Sequence, residues 1–256
     1  MKYSKVLLLF PILLFLINCS VKKNANSSSE YKVKSDTLTL YDQSRNRKIP
    51  VAFYLPESKT AIVQQKIIIF NHGYGFNKGG DYLVYSYLTK KLASKGYFTV
   101  SIQHELPTDS FLPTEGKPQV VRRPSWQNGS DNILFVLQEL KKIKPHLDYK
   151  HMTLIGHSNG GDMVALFANQ HPNLVDKIIT LDNRRMFLPR TSIPKVYTLR
   201  SNDYPADEGV LPTEEEQKKY SMTVQPTSIN HGNMDDKGSN EEKKTLCDFV
   251  LKYLEQ

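Results

Sequence analysis

Gly156-His157-Ser158-Asn159-Gly160-Gly161 is the stretch on which the reading of this chain turns. Met152 to Ile155 ahead of it is short, apolar and partly β-branched, the composition of a buried strand. Asp162 to Ala168 behind it (DMVALFA) has the composition of a helix's opening turns. Strand, Gly-x-Ser-x-Gly and helix in that order make up a nucleophile elbow. The serine of such a turn sits in a strained backbone conformation, and the glycines two before and two after it let strand and helix pack closely. The hydroxyl is then exposed above the sheet, beside the free N–H groups of a helix N-terminus. Ser158 is therefore the candidate nucleophile.

Moving outward, Lys66 to Phe70 (KIIIF) is an unbroken apolar run of the kind a fully buried strand carries, and it leads directly into Asn71-His72-Gly73-Tyr74-Gly75. Upstream, Leu38–Tyr41 and Ile49–Leu55 flank a turn at Asp42 to Asn46 and predict an antiparallel hairpin. A helix over Tyr82–Lys95, stopped by Gly96, precedes a strand at Tyr97–Ile102. The proline-rich span from His104 to Trp126 has no clear period and predicts a long loop, a rim or lid over a site. Ser125–Lys144 predicts an amphipathic helix. Beyond the elbow, Val175–Leu181 and Lys195–Leu199 predict strands, and Ser201–Glu216 an irregular acidic stretch. Thr223–Ile229 predicts a last short strand, His231 opens the loop after it, and Glu241–Tyr253 predicts a closing helix. Strands alternating with helices predict an α/β fold, a mostly parallel sheet covered on both faces.

With 256 residues, the chain is long enough for one domain with extensions. A hydrophobic content of 39% against 23% charged residues excludes wholesale disorder. The net charge of +8 is dispersed and carries no basic run interleaved with aromatics, so nucleic acid is not an expected partner. Lys2 and Lys5 followed by the apolar run Val6–Ile17 form a targeting segment too short to span a bilayer. That segment resembles a bacterial lipoprotein signal, which implies a signal peptide over 1–18 and lipidation of Cys19. An ordinary cleaved signal peptide is the alternative; lipidation would anchor the protein to a membrane of the cell envelope through Cys19, and both readings place it outside the cytoplasm. Residues 19–35 are then a flexible tether and 36–256 the folded domain. Cys19 and Cys247 are the chain's two cysteines, so a lipidated Cys19 leaves Cys247 without a disulfide partner, a core thiol.

With these motifs in place, the chain from about residue 36 onward resembles an α/β-hydrolase with the order Ser, acid, His. The resemblance implies an α/β-hydrolase fold and hydrolysis of a carboxylic ester, the substrate being a small ester or lipid-like molecule. A serine peptidase or an acyltransferase is the alternative on the same machinery, and a non-catalytic binding protein a third. No metal or organic cofactor is implied. His231 is the candidate base, lying after the last strand and before the closing helix. His157 adjoins the nucleophile and is expected to point away. The backbone N–H groups of Asn159 and Tyr74 are the candidate oxyanion donors. For the acid, Asp182 ends one strand and Asp203 the next; the former resembles the platelet-activating-factor acetylhydrolase and chlorophyllase-like branch. Asp182 is favoured, Asp203 is the alternative, and Asp207 in the same loop is an outside candidate. The unchosen carboxylate is expected to cap a loop. Asp235-Asp236-Lys237-Gly238 lacks the alternating ligands and closing glutamate of a calcium loop and is expected to be exposed. Tyr74, Phe111, Trp126 and Phe187 are among the aromatic residues that could either line an acyl pocket or pack ordinarily.

Overall fold

The computed structural model describes residues 30–256. The predicted signal peptide, Cys19 and most of the predicted tether lie outside the described residues. Eight strands form one sheet: β1 (Val33–Asp42), β2 (Arg47–Pro56), β3 (Lys66–Asn71), β4 (Phe98–Ile102), β5 (Asp148–His157), β6 (Lys177–Leu181), β7 (Lys195–Arg200) and β8 (Thr223–Pro226). Six helices accompany them: α1 (Ser86–Ser94), α2 (Pro118–Val121), α3 (Arg123–Ile143), α4 (Asn159–Gln170), α5 (Glu214–Tyr220) and α6 (Asn240–Glu255). The strand order is β1-β2-β4-β3-β5-β6-β7-β8. β1 and β2 pair antiparallel, as do β2 and β4, and every later neighbour is parallel. This is the α/β-hydrolase architecture the sequence predicts.

The two faces of β3 show why its sequence is apolar throughout. Ile67 and Ile69 join Trp126, Ile133, Leu137, Val164 and Phe167 in the core under α3 and α4. Ile68 and Phe70 join Leu88, Leu92, Leu246 and Val250 in the core under α1 and α6. Alternation along a strand sends successive side chains to opposite faces, and both faces here are dry.

Three boundaries differ from the sequence reading. Ordered structure starts before residue 36: β1 begins at Val33 and pairs with β2 over ten register positions, from Val33 opposite Pro56 to Asp42 opposite Arg47. Even Tyr31 donates its N–H to Ser94 O (2.8 Å), and Glu30 meets Lys91 and Lys95. The N-terminal half of this outer strand, Val33–Thr37, is largely exposed, so its composition is that of a linker and its pairing leaves no apolar signature. Within the predicted irregular stretch 201–216, α5 begins. It buries no residue and is held instead by a Thr213–Glu216 capping box, three acidic residues in its first turn and two lysines in its last. Inside the predicted long loop, α2 forms, and α3 starts at Arg123, two residues early. Cys247 is buried in α6, where burial raises its thiol to a pKa of about 11 and keeps it protonated.

Candidate active site

The C-terminal ends of β3, β5 and β6 converge on one edge of the sheet, where ligands bind in open α/β folds. At the end of β5 the chain turns sharply into α4. Ser158 takes φ 50° and ψ −118°, a conformation that L-residues avoid, while its N–H donates to Leu181 O (2.9 Å). The surrounding backbone leaves no room for side chains. A Cβ at Gly156 would strike the Gly160 carbonyl, and one at Gly160 would strike the carbonyls of Asn71 and His72. The glycines are thus sites of backbone contact between β5, α4 and the loop after β3.

Ser158 Oγ lies 3.0 Å from His231 Nε2, and His231 Nδ1 lies 2.5 Å from Asp182 Oδ2. Asp182, fully buried just past β6, also accepts from Ser201 N–H (3.0 Å) and Ser201 Oγ–H (2.8 Å), and pairs with Arg200 Nη2 (2.7 Å). Burial alone would raise the Asp182 carboxyl. The His231 hydrogen bond, the Arg200 charge and the Ser201 donors outweigh it and hold the group below the usual carboxylate range. An ionised Asp182 places the proton of a neutral His231 ring on Nδ1, which leaves the Nε2 lone pair facing the serine hydroxyl. Asp203 stands elsewhere: its Oδ1 accepts the backbone N–H of His231 (2.8 Å) and so fixes the histidine's loop. Asp207 pairs with Arg185 (2.6 Å) and does not reach His231.

His157 does not point away from the site. Its ring stacks at a tilt on His231, centroids 4.7 Å apart, and its Nδ1 meets Tyr85 Oη at 2.8 Å. Tyr85 Oη also accepts Gly73 N–H (3.0 Å), so one phenol ties the loop after β3 to the His157 ring. Burial, followed by the adjacent His231, lowers the His157 pKa to about 3, so this ring stays neutral beside the candidate base. Tyr85 was outside the sequence reading. Its only signal is a polar-tipped aromatic one turn before Leu88 and Thr89, in a helix start that periodicity assigns to packing.

Tyr85→Phe leaves Gly73 N–H and His157 Nδ1 buried without partners. A stability loss of about 1–3 kcal/mol is expected, with a fall in kcat because the Gly73–Tyr74 loop loses its tie to the elbow. Urea titration and ester kinetics on the same preparation measure both; unchanged values for each would refute the tie.

The N–H groups of Tyr74 and Asn159 have no acceptor among the described residues. Both belong to residues whose side chains are anchored. Tyr74 Oη accepts Leu112 N–H (3.2 Å), while Asn159 takes Trp126 Nε1–H on Oδ1 (2.9 Å) and donates Nδ2–H to Glu105 Oε1 (2.7 Å). Trp126, fully buried, therefore steadies α4 and does not line an open pocket. The Glu105 carboxyl is pushed up, chiefly by burial. Under the proline-rich loop, Phe111, Leu112, Val121 and Met163 line a cavity of about 370 Å³ with Glu105 on its wall. A second cleft of about 420 Å³ holds Ser158, His231, Gly73 and Tyr74, with Asp81, Asp235 and Asp236 along one side. Asp236 caps α1 by accepting Ser86 N–H and Tyr87 N–H (3.1 Å each), so that acidic loop is half-buried against a helix and not simply exposed. Among the described residues, no three His, Cys, Asp or Glu side chains stand together as metal ligands.

Among solved structures the chain is similar to an esterase from Rhizomucor miehei, with a TM-score of 0.63 at 14% identity, over 90% of this chain and 84% of that one. It is also similar to the acylaminoacyl peptidase of Pyrococcus horikoshii, with a TM-score of 0.62 at 15% identity, over 88% of this chain and 42% of that chain. At such identities the likeness is one of fold. A mouse (Mus musculus) serine hydrolase-like protein is 31% identical over 96 residues, which is 38% of this chain and 30% of that relative's length. Residues 66–225, more than half of the chain and inclusive of both the elbow and Asp182, match the alpha/beta hydrolase fold family, to which this protein belongs.

Proposed function

We propose that the protein is a serine hydrolase that cleaves a carboxylic ester through an acyl-enzyme on Ser158. The observation that carries this reading is the unbroken contact chain Ser158 Oγ, His231, Asp182, with separations of 3.0 and 2.5 Å. In this reading His231 Nε2 takes the hydroxyl proton as Ser158 Oγ attacks the ester carbonyl. The carbonyl oxygen becomes negative and is met by the N–H groups of Tyr74 and Asn159, which no acceptor among the described residues occupies. His231 then returns the proton to the departing alkoxide, leaving an acyl-serine. Water, deprotonated by the same Nε2, attacks that acyl group; the acid leaves and Ser158 regains its hydrogen. Asp182 holds the tautomer and offsets the imidazolium charge at each stage. An acid on the loop after β6, one strand before Asp203, supports a place near the platelet-activating-factor acetylhydrolase and chlorophyllase-like branch.

A fluorophosphonate probe tests the reading without knowledge of the natural substrate. The expected result is one phosphonyl group per molecule, attached at Ser158 with loss of fluoride, located by peptide mass spectrometry. Folded protein that takes up no label at Ser158 and hydrolyses no p-nitrophenyl ester would instead be a binding protein on this fold.

A further inference from the structure

We propose that the ester this site accepts carries an anionic group, a carboxylate or a phosphate, recognised beside the candidate catalytic histidine by Arg184, with Arg122 as a second cation. The proposal rests on the serine hydrolase reading for the position of the cleft and extends it to the class of substrate.

Eight arginines occur among the described residues. Five are neutralised by carboxylates: Arg45 by Asp42, Arg47 by Asp109, Arg185 by Asp207, Arg190 by Glu216 and Arg200 by Asp182. Arg123 is exposed on the first turn of α3. The remaining two, Arg184 and Arg122, are half-buried and meet no carboxylate within 4.0 Å among the described residues. Arg184 lies two residues past Asp182. Its guanidinium carbon sits 4.3 Å from the centroid of the Tyr204 ring, and Tyr204 in turn meets His231 edge-on at 5.4 Å. The charge is therefore held one ring away from the candidate base, stacked in a way that leaves the edge of the guanidinium and its N–H fork free. Arg122 donates Nε–H to Pro113 O (3.1 Å), and its terminal nitrogens are not sealed from solvent.

The position of Arg122 at the junction of two helices also bears on an anion. Arg122 is the N-cap residue of the 21-residue helix α3, the positive end of that helix, where a carboxylate would be stabilising. Burial, then the charges of Arg185 and Arg184, lower its proton affinity against the opposing attraction of Asp162 and Asp207. The carboxylates of Asp162 and Asp207 attract this region without bonding either guanidinium, so an incoming anion would supply the direct partner that both half-buried cations lack, and their planar forks suit carboxylate and phosphate oxygens.

The acidic side of the same cleft does not select a cation in the same manner. Asp236 is occupied by two backbone N–H groups of α1. Asp235 is held by the N–H (2.8 Å) and the ammonium (3.2 Å) of Lys237, and Asp81 accepts from Gln103 Nε2 (3.2 Å). Those carboxylates are bound within the fold, whereas the terminal nitrogens of the two arginines have no carboxylate partner within 4.0 Å.

The test compares mono-p-nitrophenyl succinate, whose acyl group ends in a carboxylate, with p-nitrophenyl butyrate. The full-length protein should prefer the succinate in kcat/KM, and added salt should erode that preference. Arg184→Gln should lower the succinate-to-butyrate ratio by about tenfold, the loss of one charge-assisted contact, and Arg122→Gln should lower it further in combination. Lys142→Gln, at the far end of α3, controls for net charge and should leave the ratio as it was. Competitive inhibition of butyrate hydrolysis by inorganic phosphate or by succinate separates the two anion chemistries. A ratio near one in the wild type, or one that Arg184→Gln and Arg122→Gln leave intact, overturns the proposal. If neither ester turns over, the catalytic reading fails by itself, and calorimetric titration with succinate and phosphate decides the anion site. Heat of binding that Arg184→Gln abolishes upholds the site, and no heat from either anion overturns it.

Discussion

Asp182→Asn is expected to lower kcat on an activated ester by about 10⁴, whereas Asp203→Asn should cost no more than about tenfold. The two residues touch opposite sides of the same histidine. Asp182 meets the ring at Nδ1, and Asp203 meets the main chain at the His231 N–H. An amide at 182 can turn its NH₂ toward Nδ1, which moves the imidazole proton to Nε2 and points a donor at Ser158 Oγ where an acceptor is needed. An amide at 203 keeps an oxygen for the N–H it already receives. Asp182 adopts φ 56°, a left-handed conformation that asparagine tolerates as well as aspartate, so the backbone does not resist the change. Because Asp182 also pairs with buried Arg200, rates should be normalised to folded protein. Loss of the same order from both variants would mean that the contact at Nδ1 has no special part.

The same substitution has a signature in stability. The Asp182 pKa is depressed in the fold, so its contribution is fully present above the unfolded value of about 4 and fades as pH falls through the folded one. Acid unfolding of Asp182→Asn should therefore be less steep than that of the wild type in this range.

Ser158→Ala carries the other large expected effect, a fall in kcat of about 10⁵ to 10⁶. The residual rate would come from the free N–H groups and from binding. Because nucleophile and acid act as one unit, Ser158→Ala combined with Asp182→Asn should be about as slow as Ser158→Ala alone. The alanine keeps a Cβ in the same strained turn, so neither relief nor new strain accompanies it, and the melting temperature should stay within a few degrees of the wild type. A fully active Ser158→Ala would move the chemistry to another residue altogether.

How far the sequence discloses this arrangement depends on whether a feature is local. The elbow is local: two glycines, a strand of apolar residues and a helix start lie within about twenty positions, and each has a composition that backbone contact requires. The buried strands are local for the same reason, since KIIIF has no polar face to expose. The choice between Asp182 and Asp203 is not. Each ends a neighbouring parallel strand, and which one reaches the His231 ring depends on how a loop some fifty residues later folds back over the sheet edge. His157 and Tyr85 are harder still, because their pairing joins the end of β5 to the start of α1 across 72 positions. The early start of β1 escaped because an exposed outer strand can consist of linker-like residues, its order residing in main-chain pairing. The half-buried charges at Arg184 and Arg122 are invisible for the converse reason: a lone arginine looks the same in sequence whether or not a carboxylate comes to meet it.

The capping of α1 by Asp236 has a mechanical consequence. Beyond the two bonds from Ser86 and Tyr87, the Asp236 N–H donates to Val84 O (2.8 Å), and Tyr87 Oη donates to Met234 O (3.0 Å). The segment that delivers the imidazole is thus riveted to the same helix start that, through Tyr85, steadies Gly73. The candidate base and the candidate oxyanion loop share a single foundation, so a disturbance that lifts one from the sheet carries the other with it, and their alignment outlasts small displacements of either.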